Sequence, residues 1–263
     1  MLVDSHCHLD KLDLTAYDGN LHAAVDAALE KGVEKILCIG IDMENIDGVV
    51  KLAEEFDSVY ASVGVHPLYQ ESREPTLQEI LDITAHPKVI GVGETGLDYF
   101  YGEGDMQWQR DRFVTHIEAA RQSQLPLIVH TRGAKDDTLA MLREHGQNAI
   151  QGVLHCFTED LDMAKQAVDL GFMISISGIV TFRNASNVRE VVKALPLESL
   201  LVETDSPWLA PVPHRGKKNE PKFVLEVAQK VAEEKGCTLE QVAQITTENF
   251  HRLFSKAKGK GNE

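Results

Sequence analysis

Two histidines two residues apart stand near the start of the chain, in the run VDSHCH at residues 3–8. The run is typical of a short buried strand, and residues i and i+2 of a strand project to the same face. His6 and His8 therefore point the same way. Converging neutral imidazoles suit a divalent transition-type metal ion. A strand end with two incidental histidines is the alternative.

Eight strand-like segments follow one another along the chain, with helix-like segments between them. Continuous apolar runs such as residues 35–40 are typical of strands buried on both faces of a parallel sheet. The strand-like segments lie at 3–8, 35–40, 59–65, 89–93, 125–129, 149–154, 172–176 and 200–204. This alternation predicts an α/β fold, a closed (β/α)8 TIM barrel. An open doubly wound sheet is the alternative, but no G-x-G-x-x-G follows the first strand.

The helix-like segments are identified by apolar residues at helical spacing. They lie at 21–31, 44–56, 77–84, 106–124, 136–144, 160–170, 188–194, 222–235 and 239–256. The last two follow the eighth strand and are extra C-terminal helices. A chain of 263 residues fits one barrel. We expect a single domain over residues 1–256 and a disordered tail over residues 257–263.

Side chains that can bind a metal follow six of the strand-like segments. They are His6 and His8 on the first, His66 on the third, Glu94 on the fourth, His130 on the fifth, His155 on the sixth and Asp205 on the eighth. Active sites of (β/α)8 barrels lie at the carboxyl ends of the strands. A lone histidine at a strand end is usually a hydrogen-bonded loop residue, but this many at one end of the barrel predict a metal site.

The number of candidate ligands predicts more than one ion. One catalytic zinc usually takes three protein ligands and a water. The surplus indicates two divalent ions with a shared ligand, and Glu94 is suited to bridge them through its two oxygens. Asp4 and Glu203 share strand parity with the ligands and lie one layer deeper. They are therefore expected either to orient the histidines or to pair elsewhere as buried acids.

The overall composition limits the classes of partner. Asp and Glu number 41 against 26 Lys and Arg, so the net charge is −15. This argues against a protein that coats nucleic acid electrostatically, but not against an enzyme that grips one or two phosphates through metal ions. Four scattered cysteines, no signal peptide and no apolar stretch near the roughly 18 residues of a membrane span predict a cytoplasmic protein.

Six motifs in order carry a resemblance to a known family. They are His6-x-His8, Gly64-Val65-His66-Pro67, Gly93-Glu94-Thr95-Gly96-Leu97-Asp98, His130-Thr131-Arg132, His155-Cys156-Phe157 and Glu203-Thr204-Asp205-Ser206-Pro207. With these motifs, and the ending Asn249-Phe250-x-Arg252-Leu253-Phe254, the chain resembles the TatD family of metal-dependent hydrolases, which are amidohydrolase-like barrels. The resemblance implies a deoxyribonuclease, often a 3′→5′ exonuclease with Mg²⁺. D-aminoacyl-tRNA deacylation is implied for some members.

The resemblance also implies how the ligands divide between two ions. One ion would be held by His6, His8, Glu94 and Asp205, and the other by Glu94, His130 and His155. His66 would contact the substrate phosphate or its leaving group. The His/carboxylate set accepts Zn²⁺, Mn²⁺, Co²⁺ or Ni²⁺, whereas Mg²⁺ prefers oxygen ligands and would serve in activity.

A mechanism and three substrate contacts follow as hypotheses. Asp205 acts as general base on an attacking water, and His66 with Arg132 neutralises charge on the phosphoryl oxygens. Arg215 lies in the basic loop 211–221, which could bind a nucleic-acid backbone. Tyr99 belongs to an aromatic loop that could stack a base. The alternatives are a rim ion pair for Arg132, a solvated loop for Arg215 and simple packing for Tyr99.

Two other functions compete with a nuclease whose partner is DNA or another phosphodiester. The first is an amidohydrolase-type esterase or amidase acting on a small metabolite, because the same metals would polarise a carbonyl group. The acidic composition slightly favours it. The second is a non-enzymatic binding module, which the intact ligand set argues against. No obligatory protein partner is evident in the sequence.

Overall fold

The computed structural model describes residues 1–258, and it has the predicted (β/α)8 barrel. Eight parallel strands form one sheet in the order of the chain. They are β1 (Leu2–Cys7), β2 (Val33–Cys38), β3 (Val59–Val63), β4 (Val89–Asp98), β5 (Leu127–Arg132), β6 (Gly152–Leu154), β7 (Phe172–Ile176) and β8 (Leu200–Val202). The barrel closes where the ends of β8 and β1 meet, with Asp205 N donating to His6 O and His8 N to Ser206 O, each at 2.9 Å.

Helices alternate with the strands, and two more follow β8. The α-helices of residues 1–258 are α1 (Leu21–Glu30), α2 (Ile46–Glu55), α3 (Leu77–Thr84), α4 (Gln107–Ser123), α5 (Lys135–Gly146), α6 (Leu161–Asp169), α7 (Ser186–Ala194), α8 (Val224–Lys235) and α9 (Leu239–Leu253). Short 3₁₀ turns span Leu9–Lys11, Thr15–Tyr17, Gly178–Thr181, Leu197–Ser199, Pro221–Phe223 and Ser255–Ala257. In the part of the chain that the structure describes, no helix has the length and apolarity needed to cross a membrane.

The barrel interior is packed by one apolar side chain from each strand. These are Val3, Leu37, Tyr60, Ile90, Ile128, Val153, Met173 and Leu201. Phe250 and Phe254 at the end of α9 complete this cluster and cover the end of the barrel where the strands begin. A larger apolar cluster fills the space between the strands and the surrounding helices. The carboxyl ends of the strands are thereby the open end of the barrel.

The ordered chain extends further than we expected from the sequence. The predicted tail began at residue 257, but Ala257 is fully buried in the interior cluster. Its carbonyl oxygen accepts hydrogen bonds from Tyr60 Oη at 3.0 Å and Lys35 Nζ at 3.1 Å. Ala257 therefore belongs to the domain. Residues 259–263, which make up most of the predicted tail, lie outside the described residues.

Strand β4 is also longer than predicted, because it continues past Gly93 to Asp98 beside β5. Gly93 and Gly96 have φ of +129° and +137°, and a Cβ atom would lie 2.4 Å from Ile128 O and 2.0 Å from His130 O. Only glycine fits so close to the neighbouring backbone. The two glycines allow β4 to stay against β5 and carry Glu94 and Asp98 into the barrel mouth.

Candidate metal centre

Glu94 lies at the centre of a ring of histidines in the barrel mouth. The mouth is a cavity of about 710 Å³ at the carboxyl ends of the strands, and Glu94 is only 2% exposed at its floor. Its oxygen Oε2 lies 3.3 Å from His6 Nε2 and 3.8 Å from His8 Nε2. Asp205 Oδ1 approaches the same nitrogens, at 3.7 Å from His6 and 3.4 Å from His8. These four side chains form one group of potential ligands.

The second oxygen of Glu94 faces a different group of histidines. Oε1 lies 2.7 Å from His155 Nε2, 3.2 Å from His130 Nδ1 and 3.3 Å from His66 Nε2. The single carboxylate of Glu94 thus stands between two groups, with one oxygen directed to each. This is the arrangement that a bridging ligand requires.

The chemistry of both groups fits divalent metal ions. Ligands about 2.1 Å from a tetrahedrally coordinated ion lie about 3.4 Å from one another. The ligand atoms around Glu94 are separated by 2.7 to 3.8 Å. In the described residues, Nε2 of His6 and Nε2 of His155 are buried and have no hydrogen-bond partner. Buried polar atoms are rarely left unpaired, so a bound cation accounts for both nitrogens.

Two carboxylates orient the histidines of the second group. Glu203 Oε1 lies 3.3 Å from His155 Nδ1, and Asp98 Oδ2 lies 3.0 Å from His130 Nε2. An imidazole that donates one N–H to a carboxylate presents the lone pair of its other nitrogen. These contacts therefore direct the lone pairs of His155 Nε2 and His130 Nδ1 to Glu94.

The hydrogen bonding of His66 is opposite to that of His130 and His155, because its ring nitrogen on the far side from Glu94 accepts a hydrogen bond instead of donating one. Its Nδ1 accepts a hydrogen bond from the backbone N–H of Leu68 at 3.1 Å. A neutral His66 then carries its proton on Nε2, the atom that faces Glu94. A protonated ring nitrogen has no lone pair for a metal ion, but it donates a hydrogen bond to an anion. The hydrogen-bond network thus gives His66 a different role from His130 and His155. His66 offers a hydrogen-bond donor and the other two offer lone pairs, although all three contact the same carboxylate oxygen.

Comparisons with known proteins agree with this geometry. The family model described as TatD related DNase matches residues 3–255. The chain belongs to the TatD family of metal-dependent hydrolases. It is 46% identical to the metal-dependent hydrolase YcfH of Escherichia coli K12 over 253 residues, which cover 96% of this chain and 95% of YcfH. It is 40% identical to YabD of Bacillus subtilis, with 97% and 99% of the two chains covered.

A solved TatD structure has the same fold as this chain. YjjV, a TatD homologue from Escherichia coli K12, superposes with a TM-score of 0.88 at 31% identity, covering 97% of this chain and 98% of YjjV. The predicted family, the barrel and metal-dependent hydrolysis are thereby confirmed. The motifs that suggested the TatD family supply the side chains that meet at Glu94.

The charges of the two central acids suit a cation site in this TatD protein. Burial raises the pKa of Glu94, but electrostatic interactions with the rings of His155, His66 and His6 outweigh burial and hold that pKa well below its usual range. Burial also raises the pKa of Asp205, but a hydrogen bond from His8 and electrostatic interactions with the rings of His6 and His155 lower it overall. Both groups are therefore carboxylates at neutral pH.

Asp4 follows the second of the two alternatives expected for it, because it pairs elsewhere as a buried acid. Its carboxylate accepts hydrogen bonds from Thr204 N at 2.8 Å, Thr204 Oγ1 at 2.5 Å and His6 N at 3.4 Å, all away from the imidazole groups. Asp4 pairs with Ile36 of β2 and Cys7 with Cys38, so β1 carries an extra residue between them. This bulge breaks the alternation on which the prediction relied. Asp4 instead helps to close the barrel.

The three expected substrate contacts lie in different environments. Arg132 lines the mouth, with its guanidinium 4.4 Å from the ring of Phe100 and 4.6 Å from that of Tyr101. Arg215 is exposed on loop 211–221 and stacks on Phe182 at 3.7 Å. It does not line the mouth cavity. Both cations therefore stand on aromatic rings, but only Arg132 faces the metal centre.

Tyr99 lies outside the mouth, in agreement with the packing alternative to a substrate contact. Its hydroxyl donates to Asp137 Oδ2 at 2.6 Å and accepts from Arg110 Nη1 at 2.9 Å, between α4 and α5. Asp98 faces into the mouth, so alternation along the chain turns Tyr99 outwards. Tyr101 occupies the mouth instead.

One residue at the mouth, Asp98, was not assigned a role from the sequence, whereas Trp208 was expected either to stack a base or to pack on the rim. Asp98 was within a recognised motif, and it shares strand parity with Glu94 once β4 is known to continue. That parity is the signal that could have identified it. Trp208 lies beside the metal centre, with its ring centroid 5.0 Å from that of His8. Its position depends on the loop after β8, which no periodicity describes.

Proposed function

We propose that this TatD protein is a deoxyribonuclease that removes nucleotides from the 3′ end of DNA, with two divalent ions in the barrel mouth. One observation carries the proposal: the two oxygens of Glu94 each face a separate set of ligands. Two ions a few ångströms apart suit the in-line displacement at a phosphodiester. The description of the matching family model as TatD related DNase also supports it.

The division of ligands supports a specific distribution of the ions. His6, His8, Asp205 and Oε2 of Glu94 would hold one ion, and His130, His155 and Oε1 of Glu94 the other. When bound, such ions would polarise a phosphoryl oxygen and lower the pKa of water. The nitrogen-rich ligand set favours Zn²⁺, Mn²⁺, Co²⁺ or Ni²⁺ as the resident ion, although Mg²⁺ could serve in activity.

The protein's own side chains supply the proton transfers and much of the charge complementarity. Asp205, an ionised acid that is less buried than Glu94, accepts the proton of the attacking water. His66 donates a hydrogen bond from Nε2 to a phosphoryl oxygen or to the leaving oxygen. Arg132 offers a planar fork to the neighbouring phosphate. Glu203 and Asp98 keep the histidines of the second group in position.

The depth of the site supports attack at a chain end. His6, His8 and Glu94 are all less than 3% exposed at the floor of the mouth. A free strand end can enter such a recess more easily than the interior of a duplex. The four cysteines of the chain, Cys7, Cys38, Cys156 and Cys237, are free. They support our proposal that the protein works in the reducing cytoplasm.

The test is the digestion of a single-stranded DNA labelled at its 5′ end. The protein is stripped with a chelator and reloaded with each candidate metal. We expect a ladder that shortens from the 3′ end, and no ladder from Glu94→Ala or Asp205→Ala. Glu71→Ala, which removes an exposed acid, is the matched control and should retain the ladder.

Two results would contradict the proposal. If loaded wild type leaves DNA intact but hydrolyses aminoacyl esters or amides, the site is that of an amidohydrolase-type esterase or amidase. If Glu94→Ala and Asp205→Ala cut DNA as well as wild type does, the activity belongs to a contaminant and the site assignment fails.

A further inference from the structure

Exposed apolar side chains are concentrated around the barrel mouth. Eight large hydrophobic side chains are exposed in residues 1–258, and six of them lie on loops that follow strands. These six are Leu68, Tyr69, Phe100, Tyr101, Trp208 and Val212. Four of them, Leu68, Tyr69, Tyr101 and Trp208, line the mouth cavity, and exposed apolar side chains grouped in this way indicate a binding site. The metal ligands on the floor are polar, so the rim and the floor recognise different parts of a ligand.

Trp208 forms the first aromatic platform. Its indole ring is 47% exposed and meets the ring of His8 edge-on, with centroids 5.0 Å apart. The backbone around it is fixed, because Trp208 N donates to Asp205 O at 3.0 Å and Trp208 O accepts from the buried amide of Asn219 at 2.6 Å. A wide aromatic face is thus held directly beside the first group of ligands.

Phe100, Tyr101 and Arg132 form the second platform. The two rings meet edge-on with centroids 4.8 Å apart, and Tyr101 is 58% exposed. Both backbone amides donate to Asp98 Oδ1, at 3.0 and 2.8 Å. Within residues 1–258 no carboxylate lies within ion-pair distance of Arg132. The second platform therefore combines aromatic faces with a cation available to a phosphate.

The two platforms stand on opposite sides of the barrel. Trp208 follows β8, which meets β1, whereas Tyr101 and Arg132 follow β4 and β5. In a closed ring of eight strands these positions are diametrically opposed. Glu94 lies between them, with Oε2 directed to the ligands on β1 and Oε1 to those on β5 and β6.

We propose that the two platforms bind the bases of two consecutive unpaired nucleotides, with the phosphodiester that joins them above Glu94. This inference rests on the proposed nuclease function and specifies its substrate as the end of a single strand. Stacking on aromatic rings requires base faces that are free, and it tolerates every base because each has a π face. Arg132 binds the phosphate that follows the base on its platform.

The first test combines side-chain truncation with base removal. Four substrates are compared in single-stranded form: an intact oligonucleotide, one with an abasic terminal nucleotide, one with an abasic penultimate nucleotide, and one with both. Trp208→Ala and Tyr101→Ala should each raise KM on intact DNA by about tenfold or more. Trp208→Phe should stay near wild type, as should Leu29→Ala, which truncates an exposed side chain on α1 far from the mouth.

Abasic substrates then identify which base each platform holds. Each alanine variant should become equal to wild type when one particular base is missing, and the two variants should respond to different positions. If both variants keep their full defect on doubly abasic DNA, or if neither raises KM twofold on intact DNA, the platforms do not bind bases. Efficient cleavage of fully paired ends would contradict the requirement for unpaired bases.

A binding measurement separates this inference from the nuclease proposal. The chain has two tryptophans, so Trp108→Phe leaves Trp208 as the only one. Metal-loaded Trp108→Phe is titrated with a thymidine oligonucleotide carrying slowly cleaved phosphorothioate linkages. Saturable quenching of Trp208 fluorescence that disappears with abasic oligonucleotide supports the platform, even if wild type cleaves no DNA. Binding seen by fluorescence polarisation without quenching overturns it, even if wild type is a nuclease.

Discussion

The carboxylate of Asp98 holds the ring of His130 in place, with Oδ2 3.0 Å from Nε2. The other oxygen, Oδ1, accepts the amides of Phe100 and Tyr101. One buried acid thus sets which nitrogen of His130 faces Glu94 and also shapes the aromatic loop at the mouth. This double role makes Asp98 a positioning residue for both the metal centre and its rim.

Replacing Asp98 with Asn should weaken metal binding without unfolding the loop. The amide oxygen of Asn can still accept from Phe100 and Tyr101, but its NH₂ group cannot accept the proton of His130 Nε2. Loss of such an orienting acceptor typically lowers metal affinity 10- to 100-fold. Calorimetric titration of the stripped protein should show this loss at one of two sites. Asp137→Asn, an acid on α5, should bind as wild type does, and unchanged affinity in Asp98→Asn would disprove the role.

Removing His66 should change catalysis but not metal content, whereas removing His155 should change metal content. Its Nδ1 is occupied by the N–H of Leu68, so we expect it to donate a hydrogen bond from Nε2 and not to bind metal. His66→Ala should retain the metal content of wild type, while kcat falls by about 10²- to 10³-fold, as is typical for loss of a donor to developing charge. His155→Ala should instead lose metal. Loss of one metal equivalent in His66→Ala, measured by elemental analysis, would show that His66 is a ligand.

The positive charge of Arg132 should contribute to the steepness with which DNA affinity falls as salt concentration rises. Each phosphate contact to a single strand contributes about 0.7 to the slope of log affinity against log salt concentration. Arg132→Ala should reduce that slope by about this amount, and Arg132→Lys should restore it. Arg215→Ala should do the same if its loop binds the backbone. Arg143→Ala, at the opposite end of the barrel, is the control, and an unchanged slope in Arg132→Ala would exclude the contact.

His116 should make the free energy of unfolding depend on pH. It is buried in α4, where Nδ1 donates to Arg112 O at 2.8 Å and Nε2 accepts from Val65 N at 3.1 Å. Burial lowers its pKa from 6.5 to about 4. Between these values the unfolded chain binds a proton that the folded chain does not, so stability falls as pH drops from 6.5 to 4 and levels off below.

The contribution of His116 can be isolated in metal-free protein. As the pH falls from 6.5 to 4, His116 should lower the unfolding free energy of the wild-type protein by about 3 kcal/mol. His116→Gln cannot be protonated, so its loss of stability should be smaller by about that amount. Denaturant unfolding in chelator at pH 4 and pH 7 measures both. Equal pH dependence in the two proteins would show that His116 is not held neutral.

The sequence was sufficient to predict the barrel and the residues around Glu94. Most of the strands contain an apolar run, and each candidate ligand lies near the carboxyl end of such a run. Because parallel strands in a barrel bring their carboxyl ends together, the positions of His130, His155 and Asp205 followed from the order of elements alone. No side-chain packing had to be known.

Residues whose environment depends on local departures from regular structure could not be predicted. The choice between two environments for Asp4 stayed open because a bulge in β1 interrupts the alternation of side chains. Asp98 was not given a role, and the environment of Tyr99 stayed open, because β4 continues past residue 93, where we expected it to end. Strand alternation is reliable only while the register is known, and the register depends on pairing with a neighbour that the sequence does not specify.

The central claim is that Glu94 joins two metal ions into one catalytic centre. Its most direct test is nuclease activity of stripped wild type measured against the number of divalent ions bound per chain, counted by elemental analysis. The structure predicts that activity rises only as the second equivalent binds. Full activity with one bound equivalent, and no further rise with a second, would contradict the two-ion centre.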